Sequence, residues 1–278
     1  MFIIMLLVFN LFSSIFMLPL IINFISNSLK HVKNYRGKTI CNFGGIFFSL
    51  NILCMCTISY MYLTLFPEGH GYKNEILIIL LGVLSASLSG CIDDDSDEEP
   101  KGITGHVKSL FKGELTSGTI KAFIGALSSL IISFSKGFMG LYTFLDFLIL
   151  CLMQNIINLM DLRPLRAIKS YIILSLIISI FANLNFLYTG MNSGIIISLI
   201  FYSFYEAKEI CMMGDTGSNT LGMFLGLMSL NLKSISYKIV MLLFLIFVHV
   251  YSEHASISDF IERNSLLKKL DMIGRRKK

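Results

Sequence analysis

The chain has no tryptophan and little charge: Asp, Glu, Lys and Arg make up 15% of its 278 residues. Soluble domains usually carry about a quarter charged residues, so this deficit argues against an ordinary soluble enzyme. Hydrophobic residues instead account for 54% of the chain, and the mean hydropathy is +0.72. Such content excludes intrinsic disorder, which requires low hydrophobicity. The composition therefore predicts an integral membrane protein.

Two familiar binding signatures are also missing from the sequence. The six cysteines include no Cys-x-x-Cys pair, and Cys54 and Cys56 stand too close together for a zinc knuckle. We interpret the cysteines as small packing residues in a reducing environment. The basic residues are spread over several loops and form no patch with aromatic residues, so no nucleic-acid partner is predicted.

Long apolar runs dominate what the sequence does contain. About 20 apolar residues suffice for a helix to cross a bilayer, and nine runs approach that length. They lie at residues 2–26, 43–66, 75–92, 118–134, 141–159, 169–187, 190–205, 216–231 and 236–252. The two weakest, 190–205 and 216–231, could be tilted, broken or extended into their flanks. The predicted fold class is an all-α, polytopic integral membrane protein with about nine transmembrane helices, the first of them retained and not a cleaved signal.

The distribution of basic residues predicts the orientation of these spans. Cytoplasmic loops of membrane proteins are enriched in Lys and Arg. Nine alternating spans with the N-terminus outside place most of the 23 lysines and arginines on the inner face. We therefore expect a multi-pass plasma-membrane protein, N-terminus out and C-terminus in. Residues 1–257 form the transmembrane domain, and residues 258–278 form a basic tail, either an amphipathic helix on anionic lipid or a solvated tail.

Three predicted inner loops each carry carboxylates. The segment Gly90-Cys91-Ile92-Asp93-Asp94-Asp95 ends one span, Asp161 ends another, and Asp215 precedes a third. Adjacent carboxylates stay ionised only with help from a cation, hydrogen bonds or water, and oxygen ligands suit Mg²⁺. The structural alternatives are a solvated acidic loop and, for Asp215, a helix N-cap. A transporter would place ionisable groups nearer the membrane midplane, which these positions disfavour.

Amides and basic residues accompany these carboxylates. Asn155, Asn158 and Asp161 share one helical face, where they could bind a polar headgroup or sugar, or hydrogen-bond between helices. Arg163 and Arg166 follow and could pair with a diphosphate or act as inside-positive anchors.

Taken in order, the motifs resemble those of the polyprenyl-phosphate N-acetylhexosamine-1-phosphate transferase superfamily. The matching patterns are GxxDD at 90–94, G-x-x-G-x-x-K at 102–108, NxxNLxD at 155–161 and GDxGS at 214–218. The segment 34–38, followed by Gly44-Gly45, resembles the N-x-R-x-x…GG pattern of the same superfamily. The resemblance covers roughly residues 30–230.

This resemblance implies a Mg²⁺-dependent phosphotransferase of cell-surface glycan synthesis. Such an enzyme transfers a sugar-1-phosphate from a UDP-sugar to polyprenyl phosphate and releases UMP at the cytoplasmic face. By similarity, Asp93, Asp94 and Asp161 are the expected catalytic carboxylates, and Asp94 and Asp215 the expected Mg²⁺ ligands. The expected substrate-binding residues are Lys38, Lys108, Asn155, Asn158, Arg163 and Arg166. The resemblance leaves a homodimer open, since membrane homologues often pair, but the sequence does not give the oligomeric state.

The sequence departs from the superfamily pattern in its last inner loop. The usual His-rich motif is absent, and His254 is a better substitute than His249 because it lies nearer the inner face. Two alternatives therefore stay open. One is a member with altered activity that acts as a scaffold, and the other, less favoured, is a lipid or solute transporter.

Overall fold

The computed structural model of the chain describes residues 1–66, 71–96, 109, 112–137 and 140–275. The chain begins with one 27-residue helical segment made of α1 (Phe2–Phe12), a π-helical stretch (Ser13–Met17) and α2 (Leu18–Ser28). The transmembrane helices and shorter helices that follow are α3 (Ile46–Leu65), α4 (Lys73–Asp95), α5 (Ser117–Ser135), α6 (Leu141–Met160), α7 (Arg166–Phe181), α8 (Phe186–Ala207), α9 (Gly214–Ser229), α10 (Ile235–His254), α11 (Ile257–Arg263) and α12 (Ser265–Met272).

Seven of the described helical segments are long and apolar enough to cross a membrane. They are the N-terminal segment Phe2–Ser28 and the helices α3, α4, α5, α6, α8 and α10. Several present apolar side chains outward: Ile4, Phe123, Val240 and Phe247 are each more than 60% exposed. Exposed apolar surface on this scale is unusual for a soluble protein and suits contact with lipid. The chain is thus a helical, multi-pass membrane protein, as the sequence predicts.

Two of the nine predicted spans correspond to helices that are short for a bilayer. Helices α7 and α9 have 16 residues each, which corresponds to roughly 24 Å of helix against a bilayer core of about 30 Å. The span predicted at 169–187 ends early because Ala182 pairs with Leu232 and the Asn183 N–H donates to the Asn231 carbonyl. The weak span at 190–205 extends into its flanks as the 22-residue α8. The count of nine spans stays a prediction.

Helix α9 is the central helix of the bundle. Every residue from Thr216 to Ser229 is buried, and the helix packs chiefly against α4 and α6. A helix that is buried on every side leaves no face for contact with lipid. This position brings Asp215, in the first turn of α9, to the middle of one end of the bundle.

The loop between α2 and α3 contains a β-hairpin, which the all-α prediction missed. Strand β1 (His31–Lys33) pairs antiparallel with β2 (Thr39–Cys41). Asn34 closes the turn, because its side-chain oxygen accepts hydrogen bonds from the backbone N–H groups of Arg36 and Lys38. The three-residue strands are too short for an alternating pattern to reveal them in the sequence.

The segment after the hairpin attaches to the approach to α9. The Cys41 carbonyl accepts from the Met212 N–H at 2.8 Å, and the N–H of Gly45 donates to the Met213 carbonyl at 2.8 Å. The Lys30 ammonium donates to the carbonyls of Asp95 and Ser96 at the end of α4. These contacts place the hairpin, the end of α4 and the start of α9 at the same end of the bundle.

Candidate active site

The carboxylate of Asp94 holds the N-terminus of α9. Asp94 lies in the last turn of α4 and is 6% exposed. Its oxygens accept hydrogen bonds from the Asp215 N–H at 2.9 Å, the Thr216 N–H at 2.8 Å and the Thr216 hydroxyl at 2.7 Å. The Asn42 amide donates a fourth bond at 2.8 Å. A carboxylate in this position satisfies unpaired N–H groups and the positive end of the helix dipole.

Glycine at two motif positions makes this contact sterically possible. A Cβ at Gly90 would overlap the backbone of Asp215, so only glycine lets α4 approach α9 so closely. Gly214 has φ +69, which favours glycine, and a Cβ there would overlap the Asn42 carbonyl and meet the Asp94 carboxylate. The glycines of the GxxDD and GDxGS motifs therefore serve the junction between the two helices.

Asp93 and Asp215 are bridged by Lys121. The Lys121 ammonium donates to Asp93 Oδ2 at 3.0 Å and forms a second ion pair with Asp215 Oδ2. Ser117, one turn earlier on α5, donates its hydroxyl to Asp93 Oδ1. All three charged side chains are partly exposed, so they remain accessible from outside the protein. Lys121 of α5 thus links the GxxDD motif at the end of α4 to the GDxGS motif at the start of α9.

The amide face of α6 joins the same cluster. Asn158 Nδ2 donates to Asp215 Oδ2 at 2.9 Å, and it lies 3.4 Å from Asn155 Oδ1. The predicted sharing of one helical face by Asn155 and Asn158 is therefore seen, and the face points towards Asp215. Their expected roles in substrate binding stay predictions.

Asp161 ends α6 beside these carboxylates. Burial, together with the negative charges of Glu206, Asp215 and Asp94, raises the pKa of Asp161 well above its ordinary value, although the Gly214 N–H partly offsets this. A carboxylate surrounded by others binds a proton or a cation more readily than an isolated one. The three inner loops predicted to bring carboxylates to one face therefore do converge.

Arg163 lies next to this cluster, at a small cavity. The cavity is lined by Asn34, Tyr35, Asp161 and Arg163, among others. The Arg163 guanidinium lies 4.5 Å from the centroid of the Tyr35 ring, a cation–π distance. Arg163 and Asp161 thus line the same cavity, and the substrate contact expected of Arg163 stays a prediction.

The remaining basic candidates are placed differently. The Lys38 ammonium donates to the Glu209 carbonyl at 2.8 Å, so in this structure it connects the hairpin turn to the segment after α8. Arg166 is 4% exposed and forms two hydrogen bonds with Asp271 of the C-terminal tail, and its expected contact with a diphosphate stays a prediction. Lys108 lies outside the described residues. The His254 side chain is exposed and its Nδ1 faces the Val250 carbonyl in its own helix, away from the carboxylates.

Sequence reasoning missed Lys121, Ser117 and Asn42. Lys121 has a detectable signal, because an ionisable residue inside an apolar span marks a functional position by default. Ser117 and Asn42 carry no such signal, since a serine at a helix start and an asparagine after a strand are common in any loop.

The donor set at this cluster is compatible with Mg²⁺. Across the described ranges, no three His, Cys, Asp or Glu side chains are grouped as a closed metal site. Mg²⁺ usually takes only one or two protein carboxylates and fills its shell with water and substrate phosphate oxygens. Asp93 and Asp215 are two partly exposed carboxylates that share the Lys121 ammonium between them, so they could supply the protein ligands of a Mg²⁺ ion.

A comparison of the chain with models of known protein families finds no match, and a comparison with curated protein sequences finds none either. The superfamily resemblance therefore depends on the motif residues of the sequence alone.

The hydrogen bonds of Asp94 predict a specific loss of stability in Asp94→Asn. The new amide turns one acceptor into a donor that faces other donors, at a cost of about 1–3 kcal/mol. Asp95→Asn is the matched control because Asp95 is the adjacent, exposed carboxylate. Thermal unfolding in detergent should show a lower midpoint for Asp94→Asn alone; equal midpoints for the two variants would contradict a capping role.

Proposed function

We propose that the protein transfers an N-acetylhexosamine-type sugar-1-phosphate from a UDP-sugar to polyprenyl phosphate, releasing UMP. The reaction takes place at the cytoplasmic face of the plasma membrane and supplies cell-surface glycan synthesis. The observation that carries the proposal is the meeting of Asp93, Asp215 and Asn158 around Lys121. Three motifs far apart in the sequence supply the first three residues, at one end of the helical bundle.

The location of the cluster suits two substrates of different solubility. Asp93 ends a membrane-spanning helix, and Asp161 ends another. A polyprenyl phosphate embedded in the bilayer presents its phosphate at this depth, whereas a UDP-sugar arrives from the aqueous side. The proposed topology of nine spans, N-terminus out and C-terminus in, puts this end of the bundle in the cytoplasm.

The chain's own residues perform positioning and charge balance in this proposal. Lys121 offsets negative charge where the diphosphate of the nucleotide sugar meets the lipid phosphate. Asn155 and Asn158 orient the sugar nucleotide through their amides, and Asp161 and Arg163 contact it from the cavity side. Phosphoryl transfer depends mostly on such positioning and electrostatic stabilisation.

Mg²⁺ is the proposed cofactor, held by Asp215 with Asp93. When bound, it supplies positive charge to the diphosphate and leaving group. Asp94 was the other expected ligand, but its oxygens already accept four hydrogen bonds, so in this proposal it positions Asp215 by fixing the N-terminus of α9.

The test is release of UMP by the purified protein in nanodiscs. The protein is mixed with polyprenyl phosphate and UDP-N-acetylglucosamine, or in parallel UDP-N-acetylgalactosamine, with MgCl₂ or with EDTA. We expect UMP and a lipid-linked sugar phosphate in equal amounts, only with Mg²⁺. Absence of UMP with every nucleotide sugar tried would reject the enzyme proposal and favour the scaffold alternative, which is a member of altered activity.

A further inference from the structure

The C-terminal tail is attached to the connection between α6 and α7 by a buried ion pair. Asp271, in α12, is 8% exposed. It accepts hydrogen bonds from Arg166 Nε at 2.9 Å and Nη2 at 3.1 Å, a two-point contact between a guanidinium and a carboxylate. Burial by itself would raise the pKa of Asp271, but Arg166 and Arg275 lower it below its ordinary value.

Further contacts from the start of α7 reinforce this attachment. The remaining guanidinium nitrogen of Arg166, Nη1, donates to the Ser258 hydroxyl of α11 at 2.9 Å. The Lys169 ammonium donates to the carbonyls of Leu270 at 2.9 Å and Asp271 at 2.8 Å. A cation that bonds the last carbonyls of a helix stabilises that helix end. Both short tail helices are therefore tied to α7.

The tail also packs on the most unusual backbone position of that connection. Leu165 has φ +67, a conformation rare for a branched side chain, and its N–H donates to the Glu206 carboxylate at 3.1 Å. Gly274 lies against it, since a Cβ at Gly274 would come within 2.9 Å of the Leu165 side chain. Such a backbone persists only where its surroundings hold it in place.

The end of the described tail reaches the cavity beside Asp161. Arg275 pairs with Asp271, and its guanidinium lies 5.7 Å from the centroid of the Tyr35 ring. Arg163 approaches the same ring at 4.5 Å. The tail thus contacts the wall of the cavity that contains the candidate substrate-binding residues.

We propose that residues 257–275 form a strap that positions Asp161 and Arg163 for substrate. Asp271 acts through Arg166: with the pair made, the connection 161–166 keeps the backbone that places Asp161 and Arg163 in the wall of one cavity, with Arg163 against Tyr35. Asp271 is therefore a positioning residue and touches no substrate. The substrate part of this inference rests on the proposed function.

The test compares Asp271→Asn with Asp259→Asn, which removes an exposed carboxylate from the same tail. Hydrogen–deuterium exchange is measured over 161–166 and 257–275, and KM and kcat are measured for the nucleotide sugar. For Asp271→Asn, we expect exchange about tenfold faster in both segments, because removing one partner of a buried ion pair is strongly destabilising. We also expect a raised KM with a smaller change in kcat. The double variant Arg166→Asp with Asp271→Arg should recover part of both losses.

Several results would overturn the strap. Unchanged exchange in Asp271→Asn would show that the tail does not depend on the ion pair. Faster exchange confined to 257–275 would show a tail that is merely attached, and faster exchange in both segments with an unchanged KM would separate the connection from substrate binding. A wild-type protein without UMP release would instead reject the proposed function, while the exchange measurements still decide whether the tail holds residues 161–166.

Discussion

Asp215→Asn is expected to reduce UMP release by about 10²–10³-fold, the size of effect seen when one electrostatic contact to the reacting group is lost. Asp215 contacts both Lys121 and Asn158, so it connects the last acidic motif to two other helices. An asparagine keeps the shape and the helix start but loses the charge that would attract a metal ion. The measurement is the rate of UMP release in nanodiscs over a range of Mg²⁺ concentrations.

The control for this variant is Glu253→Gln. Glu253 is an exposed carboxylate near the end of α10, at the same end of the bundle, and the same chemical change there should leave the rate unchanged. Because Asp94 and not Asp215 caps α9, Asp215→Asn should also unfold near the wild-type temperature. Full activity in Asp215→Asn would remove the carboxylate cluster from the reaction.

Lys121→Met is expected to lower UMP release by about 10²-fold or more, since a positive charge at the diphosphate is lost. The variant also leaves Asp93 and Asp215 facing each other without their shared cation. Like charges at this range repel, so we expect a lower unfolding temperature as well, recovered when Mg²⁺ is added at millimolar concentration. Activity and thermal unfolding are measured with and without Mg²⁺.

Lys136→Met controls for the loss of a lysine from the same helix. Lys136 follows the opposite end of α5 from Asp93 and Asp215, and its replacement should change neither the activity nor the response of unfolding to Mg²⁺. Lys121→Arg keeps the charge and should retain more activity than Lys121→Met. If Lys121→Met, Lys121→Arg and Lys136→Met behaved alike, Lys121 would have no role beyond packing.

Much of the architecture could be predicted from the pattern of apolar runs. A run such as 236–252 is read reliably as a membrane-spanning helix because lipid demands about 20 apolar residues and internally satisfied hydrogen bonds. The same pattern does not separate a buried helix from a lipid-facing one, so 169–187 and 216–231, which form the 16-residue helices α7 and α9, stay predicted spans. The hairpin at His31–Cys41 was missed because its strands have only three residues each.

The carboxylates of the site were predictable from the sequence, but Lys121 and the arrangement of the side chains were not. Asp93, Asp94, Asp161 and Asp215 were identified because carboxylates are scarce in this chain and share one predicted membrane face. Asp93 and Asp94 are adjacent in the sequence, which does not show that they have different roles. Successive residues on a helix point about 100° apart, so one carboxylate is exposed beside Lys121 while the other is buried against α9.

Composition and spacing alone determined that this is a helical membrane protein with its acidic motifs on one face. Those properties depend on transfer of side chains between water and lipid, which each residue's own chemistry decides. Only the tertiary structure decided that Lys121 bridges two motifs, that Asp94 caps α9 and that Asp271 holds Arg166. These contacts join residues far apart in the chain, and hydrogen bonds and ion pairs form only where packing brings donor and acceptor within about 3 Å.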